Sequence, residues 1–122
     1  MSQSQEDYIK FIYENNDGDF VDNKRIAQGL ELSPPSVSEM MHRLEQQELV
    51  DYVPYKGVKL TEAGVQMAED LIRKHEIWEY FLLQKLNYTK EEVHNLAEVL
   101  EHVTPVDLAN RLAKYINYPE PR

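Results

Sequence analysis

A serine followed by two prolines, Ser33-Pro34-Pro35, is the feature that most constrains the fold of this chain. Serine can cap the orphan N–H groups of a helix, and proline is tolerated in a first turn because the donor it lacks is not needed there. A helix is therefore predicted over SPPSVSEMMHRLEQQ, with its apolar side chains facing inward. A shorter helix, NKRIAQGL, precedes it across a tight Glu31-Leu32 turn, and this arrangement is the helix-turn-helix pattern.

Alternating apolar residues between Leu49 and Leu60 flank a Tyr-Lys-Gly tip, which predicts a β-hairpin. A hairpin directly after a helix-turn-helix is a wing. Phe20-Val21 is a candidate for a further short strand before the second helix. The sequence thus predicts a mainly α fold that begins with a winged helix-turn-helix.

Four further helices are predicted from local start and stop signals. The first covers 4–16, with Ser4 as its cap, and ends at the turn signal of residues 15–19. Thr61 caps a long helix that reaches about Leu86. The capping-box pattern Thr89-Lys90-Glu91-Glu92 opens another to about Val103. Thr104-Pro105 opens the last, which closes at Tyr118-Pro119-Glu120-Pro121.

Composition limits the classes of protein to consider. The chain has 122 residues, 42% of them hydrophobic, and no cysteine. It can bury a real core, and disulfides and thiolate metal sites are excluded. No apolar run approaches the roughly 18 residues of a membrane span, and the first residues lack the pattern of a secretory signal. We therefore expect a soluble cytoplasmic protein with no membrane partner.

The net charge of −9 argues at first against nucleic-acid binding, because such affinity comes largely from Lys and Arg. Residues 1–60 hold 6 basic and 11 acidic residues, a net of −5, and residues 61–122 hold 7 and 11, a net of −4. Either the protein does not bind DNA, or something neutralises carboxylates and a local basic surface makes the contact.

Candidate metal ligands are concentrated in the second half of the chain. Glu98, Glu101 and His102 have the i, i+3, i+4 spacing that places them on one face of a helix. His75 and Glu79 have i, i+4 spacing on the long helix, and the remaining candidates are His94, one turn before Glu98, and Asp7 in the first helix. Taken singly, each has a structural or solvated explanation; together, they adjoin faces that must pack. Carboxylates with imidazole suit Mn²⁺ or Fe²⁺ better than structural zinc, and no metalloprotease motif is present.

Candidate DNA contacts lie in the helix-turn-helix and the wing. Small hydroxyls can bond base edges or phosphates, proline can touch a thymine methyl, and a carboxylate can accept from a cytosine amine. The serines also have a purely structural interpretation as helix caps. The residues are Ser33, Pro35, Ser36, Ser38, Glu39 and Arg43 on the third helix, Asn23, Lys24 and Arg25 on the second, and Lys56 at the wing tip.

Taken in order, these motifs resemble the diphtheria-toxin-repressor family of metal-dependent regulators, in its manganese-transport-regulator branch. The resemblance is carried by EDYIKFIY (6–13), SPPSVSEM (33–40), YKGVKLTEAG (55–64), RKHEIWE (73–79) and AEVLEHV (97–103). It implies a winged helix-turn-helix DNA-binding domain over 1–61 and a helical metal-binding and dimerisation domain over 62–122.

The resemblance also implies two metal sites. The first draws on Asp7, Glu98, Glu101 and His102; the second draws on His75, Glu79 and His94, and shares Glu98 or Glu101 in one version. Carboxylates at 7 and 98 favour manganese, since the iron-sensing branch has methionine and cysteine there. Lys10 departs from the pattern, because part of the manganese branch has a chelating glutamate at that position. A closely spaced pair of ions is therefore in doubt, and the separated second site is favoured.

The resemblance implies a Mn²⁺-dependent transcriptional regulator that represses metal-uptake genes. It implies that the chain binds a double-stranded operator as a homodimer, with residues 89–116 forming the contact between the two subunits. An Fe²⁺-dependent repressor of the same family and a metal-independent winged-helix regulator are the alternatives. An enzyme is not expected, because no general base, nucleophile or phosphate-binding loop accompanies the carboxylates. Many family members carry a further C-terminal SH3-like domain, and this chain stops before one could form.

Overall fold

The computed structural model describes residues 3–16 and 19–119, and within them the chain is mainly helical. The elements in order are α1 (Gln3–Glu14), α2 (Asn23–Leu30), α3 (Pro34–Gln46), β1 (Val50–Val53), β2 (Gly57–Leu60), α4 (Glu62–Leu86), α5 (Lys90–Glu101) and α6 (Val106–Tyr115). The chain divides into two compact units, unit 1 up to Glu69 and unit 2 from Asp70 onward, so that the boundary falls within α4. The expected fold class is confirmed.

Unit 1 is a helix-turn-helix whose ends are fixed by local hydrogen bonds. Asp22 caps α2 by accepting from the Arg25 N–H at 2.7 Å. Glu31 ends α2 in the left-handed region at φ 56°, which turns the chain toward α3. Ser33 caps α3 as expected, with two prolines in the first turn. The turn is therefore encoded by the few residues between the two helices.

The core of unit 1 is formed by the apolar faces of its helices and strands, which pack against one another. Burying these side chains supplies the main stabilisation of a small unit, about 1.5–3 kcal/mol for each large aliphatic residue removed from water. The largest of the fully buried side chains are Ile9, Ile12, Val21, Ile26, Val37, Met41, Leu44, Val50 and Val58. Met40 and Met67 are partly buried against this core.

The wing is an antiparallel hairpin in which Val50 pairs with Leu60 and Val53 with Gly57. The expected short strand is a single bridge between Val21 and Val58, with hydrogen bonds of 2.8 and 2.9 Å. Gly57 has φ +111°, and a Cβ there would lie 2.1 Å from the Val21 carbonyl oxygen. Glycine is required at this position, because no side chain fits between the wing and the bridging residue.

Unit 2 contains the rest of α4 together with α5 and α6. One core cluster consists of Ile77, Ala109, Ala113 and Ile116, and the small residues allow α6 to approach α4 closely. The expected capping box opens α5: Thr89 accepts from the backbone of Glu92, and Glu92 accepts from the backbone of Thr89. The Thr89 backbone N–H and, second, the Thr89 hydroxyl donate to Glu92 Oε1, and these two hydrogen bonds lower the pKa of the Glu92 carboxyl.

One expectation about helix ends is wrong. Ser4 does not cap α1, because Gln3 is already helical and Ser4 lies inside the first turn. Residues 17 and 18 of the expected turn, and the end of the closing motif from residue 120, lie outside the described residues. The expected domain boundary at 61/62 stays a prediction. None of the helices in the described ranges combines the length and apolar character that crossing a membrane requires.

Candidate metal centre and nucleic-acid interface

The outer cluster, defined as His75, Glu79 and His94, joins one face of α4 to one face of α5. His75 is buried, and its Nε2 lies 3.1 Å from Glu79 Oε2, as i, i+4 spacing on α4 requires. His94 is exposed on α5, with its Nδ1 3.6 Å from the same Glu79 oxygen. One ligand atom from each residue lies within 4.8 Å of the other two.

The inner cluster, defined as His75, Glu98 and Glu101, uses the opposite nitrogen of the same histidine. His75 Nδ1 lies 2.6 Å from Glu101 Oε1 and 4.0 Å from Glu98 Oε1, and the three ligand atoms again fall within 4.8 Å. His102 ends α5 as its C-cap, and its Nε2 lies 3.6 Å from Glu101 Oε2. His75 thus lies together with Glu98 and Glu101, while the grouping of Glu98, Glu101 and His102 around one ion stays a prediction.

Glu101 is the most informative member of the inner cluster, because it is only 1% exposed. A carboxylate removed from water is costly unless hydrogen bonds or a cation compensate it. Its two oxygens face two imidazoles, those of His75 and His102. A buried acid between two histidines has the composition of a divalent-cation site.

The donor atoms fit a hard divalent cation. Ligands of one such ion lie about 2.0–2.2 Å from it, so they lie within about 4.4 Å of one another, close to the limit found in both clusters. The donors are carboxylate oxygens and imidazole nitrogens, and the chain has no cysteine to supply a thiolate. This set suits Mn²⁺ or Fe²⁺ in higher coordination.

Asp7, the remaining member of the first expected site, belongs to α1 in unit 1. It is half-buried and lines a cavity of about 340 Å³ together with Gln3, Ser4, Tyr8, Leu30 and Leu32. Lys10 lies one turn later on the same helix and is also half-buried. The grouping of Asp7 with Glu98, Glu101 and His102 stays a prediction.

The expected DNA contacts on α3 are all exposed: Ser33, Pro35, Ser36, Ser38, Glu39 and Arg43. The Ser33 hydroxyl accepts from the Ser36 N–H at 3.3 Å and donates to the Ser36 hydroxyl at 2.9 Å. The structural interpretation of Ser33 as a cap therefore holds, while Ser36 and Ser38 present hydroxyls to solvent.

Glu39 and Arg43 form an i, i+4 ion pair of 3.0 Å on this surface. Both side chains are more than half exposed, so the pair contributes under about 1 kcal/mol and leaves Arg43 available to a phosphate. Both residues, with Ser36 and Met40, also line a groove of about 280 Å³ that reaches Ser4 and Tyr8 of α1. The exposed face of α3 thus adjoins the helix that carries Asp7.

The wing tip presents Tyr55 and Lys56. Tyr55 is fully exposed and has φ 69°, and Lys56 donates its backbone N–H to the Val53 carbonyl at 3.1 Å. The Lys56 ammonium lies 5.7 Å from the centre of the Phe20 ring, a cation–π contact that steadies the turn. At the start of α2, Lys24 and Arg25 are exposed and Asn23 is half-buried.

Two features of unit 2 were not predicted from the sequence. Trp78 Nε1 donates to Thr104 Oγ1 at 2.8 Å, which ties α4 to the connection between α5 and α6. Large apolar side chains also remain exposed on the last two helices and on the connection between them, where an amphipathic pattern would have predicted burial. They are Leu96, Val99, Val103, Val106, Leu108 and Tyr115.

Family models match the chain over almost its full length. Residues 1–58 match the N-terminal DNA-binding domain of iron-dependent repressors, and residues 61–121 match their metal-binding and dimerisation domain. The chain belongs to the iron-dependent repressor family. The resemblance to the diphtheria-toxin-repressor family is thereby confirmed, and with it the function class of a metal-dependent, DNA-binding transcriptional regulator.

Relatives within the iron-dependent repressor family differ in the metal that their names carry. The HTH-type transcriptional regulator MntR of Oceanobacillus iheyensis is 31% identical over 94% of this chain and 78% of its own length. The iron-dependent repressor IdeR of Mycobacterium bovis is 35% identical over 92% of this chain and 49% of its own. The structure of the manganese regulator SloR superposes with a TM-score of 0.80 at 42% identity, covering 98% of this chain and 56% of that one.

The chain thus spans about half the length of several iron-dependent repressors that it matches. The relatives named above are transcriptional regulators. Family membership gives roles of metal binding and dimerisation to the second half of the chain and DNA binding to the first.

Proposed function

We propose that this chain is a Mn²⁺-dependent repressor that binds operator DNA as a homodimer and acts on genes of metal uptake. The observation that carries the proposal is the pair of α4 and α5 side-chain clusters that share the buried His75 and together contain two imidazoles and three carboxylates. This donor set of oxygen and nitrogen favours manganese by ligand hardness. Two of the named relatives are manganese regulators or carry the MntR name, which supports the same choice.

In this proposal the ions are held by His75, Glu79 and His94 in the outer position and by Glu98, Glu101 and His102 in the inner one, with Asp7 as a further inner ligand. A bound Mn²⁺ supplies two positive charges among carboxylates that otherwise repel one another and DNA. The two positive charges of one ion offset a sizeable share of the chain's net charge of −9.

The proposed mechanism couples metal to DNA through α1. Asp7 is carried by α1, and the groove along α3 is lined in part by Ser4 and Tyr8 of that helix. An ion that bound Asp7 together with ligands from unit 2 would restrict the movement of α1. It would therefore also restrict α3, the neighbouring helix that carries the candidate DNA contacts. Dimeric helix-turn-helix proteins must match half-sites about one DNA turn apart, so such restriction raises affinity for the operator.

The homodimer in this proposal uses the exposed apolar face of α5 and α6. Val99, Val103 and Tyr115 are each at least 60% exposed, an arrangement that a self-complementary interface would cover. A regulator that binds chromosomal DNA works in the cytoplasm of a bacterial or archaeal cell, which is the location we propose.

An Fe²⁺-dependent repressor is the second candidate, because IdeR is as similar to this chain as MntR is. The test is selection of duplexes from a randomised DNA library by the purified chain with Mn²⁺, with Fe²⁺ under anaerobic conditions, and with chelator. The proposal predicts enrichment of one palindromic sequence with Mn²⁺ at lower metal concentration than with Fe²⁺. Stronger enrichment with Fe²⁺ favours the iron candidate, and equal enrichment with chelator favours a metal-independent regulator.

A further inference from the structure

The single tryptophan of the chain, Trp78, lies on α4 directly before the candidate ligand Glu79. Its indole Nε1 donates to Thr104 Oγ1 at 2.8 Å, a hydrogen bond that spans 26 residues of sequence. Its ring also packs edge-on against Phe81, with the two ring centres 5.9 Å apart. The indole therefore has a defined orientation on α4, because both its ring and its N–H are held.

Thr104 connects the indole to the last turn of α5. It is buried, and its hydroxyl donates to the Leu100 carbonyl while it accepts from Trp78. Leu100 is one of the last four residues of α5, whose carbonyls have no N–H partner from the regular helix pattern. Thr104 thus holds the end of α5 and, through Trp78, fastens that end to α4.

The turn that is held in this way carries Glu101 and His102, two ligands of the inner position in the proposed function. Both directly follow Leu100, and their side chains are 0% and 3% exposed. Because close packing leaves a buried side chain few alternative rotamers, its donor atoms move with the backbone that carries it. The distances from these two donors to one ion therefore depend on where the last turn of α5 lies.

We propose that the indole N–H of Trp78 is a positioning group for the inner metal position, acting through Thr104 and the last turn of α5. The inference rests on the proposed function and adds to it two residues that bind no metal themselves. A turn that is fastened to α4 before the ion arrives loses less freedom when the ion binds, and such prior ordering raises affinity. Groups beyond the direct ligands commonly tune metal sites by orienting those ligands.

The proposal is tested by competition with a fluorescent chelator, which measures Mn²⁺ affinity in Trp78→Phe and Thr104→Val. Trp78→Phe keeps an aromatic ring beside Phe81 and removes the N–H, whereas Thr104→Val keeps the shape of the side chain and removes the hydroxyl. The inner position is the step of the titration that Glu101→Gln weakens. Each variant should weaken that step about three- to tenfold, less than the roughly 10–100-fold of groups bonded directly to a ligand.

The chain with both substitutions shows whether the two residues act through one hydrogen bond. Thr104→Val already removes the acceptor of the indole N–H, so adding Trp78→Phe should cause no further loss of Mn²⁺ affinity. Losses that add in the double variant mean that the two side chains act independently, and they overturn the proposal.

Two control variants separate positioning from a general loss of stability. Thr104→Ser keeps the hydroxyl, and Tyr80→Phe removes a hydroxyl from a half-buried aromatic residue of the same helix α4. Both should bind Mn²⁺ as wild type does. Urea unfolding with chelator gives the free energy of unfolding of every variant, so that a change of affinity is compared with a change of stability.

The wild-type chain offers a readout that needs no substitution. If the bond between Trp78 and Thr104 favours the bound ion, linkage requires the ion to favour that bond. In NMR spectra of the chain loaded with diamagnetic Zn²⁺, exchange of the indole N–H with deuterium should therefore slow, and by more than exchange of backbone N–H groups in the middle of α4. One tryptophan gives one indole signal, so the assignment is direct.

Wild-type affinity in either Trp78→Phe or Thr104→Val overturns the proposal, whether or not the variant is less stable. It is also overturned by a Thr104→Ser chain that binds as weakly as Thr104→Val, and by an indole exchange rate that the metal leaves unchanged. In each of these cases the wild-type chain still binds Mn²⁺, so the proposed function stands. A wild-type chain that binds no Mn²⁺ refutes the proposed function itself.

Discussion

His75 Nδ1 lies 2.6 Å from Glu101 Oε1, a contact that joins α4 to α5 across 26 residues of sequence. It places a buried imidazole against a buried carboxylate at the centre of the candidate metal ligands. A hydrogen-bonded pair of this kind satisfies each of the two buried groups in part. The second oxygen of the carboxylate, Glu101 Oε2, lies 3.6 Å from His102 Nε2.

Substitution of Glu101→Gln should weaken Mn²⁺ binding to the inner position by at least about tenfold, because it replaces a charged oxygen ligand by a neutral amide of the same shape. Glu91→Gln is the matched control, since it removes the same charge from an exposed position on α5. Competition with a fluorescent chelator measures the affinity. Equal losses in the two variants would attribute the effect to net charge instead of ligation.

Substitution of Val99→Asp should weaken the proposed dimer by at least about tenfold, because a charge buried in an apolar interface lacks compensation. Val99 is 60% exposed on α5, so the folded chain itself should tolerate the change. Sedimentation equilibrium measures the association, with Asn95→Asp on the same helix as control. A Val99→Asp chain that dimerises like wild type would exclude this face as the interface.

Substitution of Arg43→Ala should weaken the binding of DNA duplexes of different sequence by a similar factor. It should also reduce the magnitude of the slope of log affinity against log salt concentration by about one. The reason is the loss of one phosphate contact from the exposed side of α3. Titrations of a labelled duplex at several salt concentrations provide the slope. Lys85→Ala, which removes a positive charge from the last turn of α4, should leave the slope unchanged. A slope for Arg43→Ala equal to that of wild type would remove this residue from the interface.

Substitution of Gly64→Ala should lower the free energy of unfolding by about 1–3 kcal/mol. Helix propensity alone predicts a gain of about 1 kcal/mol, but the new Cβ would lie 2.3 Å from the Leu49 carbonyl oxygen. That carbonyl is fixed because it accepts from the Thr61 N–H. Urea unfolding measures the change, with Gln66→Ala, at an exposed position of α4, as control. A stabilised Gly64→Ala would show that the wing can move away from α4.

The helix ends could be predicted from the sequence where the signal is local. Ser33 before two prolines, and Thr89 three residues before Glu92, each fix an end through hydrogen bonds within one turn. The prediction that Ser4 caps α1 was wrong because a serine also fits inside the first turn of a helix. Whether it caps depends on the conformation of the preceding backbone. The single bridge of Val21 and Val58 was indicated by two apolar residues beside a turn signal.

The site could be predicted in pairs but not as a whole. His75 with Glu79, and His94 with Glu98, follow from i, i+4 spacing, because such residues face the same side of a helix. The meeting of His75 with Glu101 depends on how α4 packs against α5, and no local pattern encodes that contact. The exposed apolar face of α5 and α6 was likewise beyond a periodicity argument, which identifies an apolar face but not what covers it.

The central claim, that metal binding in unit 2 controls DNA binding by unit 1, is tested most directly by fluorescence anisotropy of one duplex with and without Mn²⁺. The duplex is the sequence enriched from the randomised library, and wild-type chain is titrated in buffers matched in ionic strength, since salt alone changes affinity for DNA. The account predicts an affinity at least severalfold higher with Mn²⁺ than with chelator, and loss of that gain in Glu101→Gln. Equal affinity of the wild-type chain in the two buffers would contradict it.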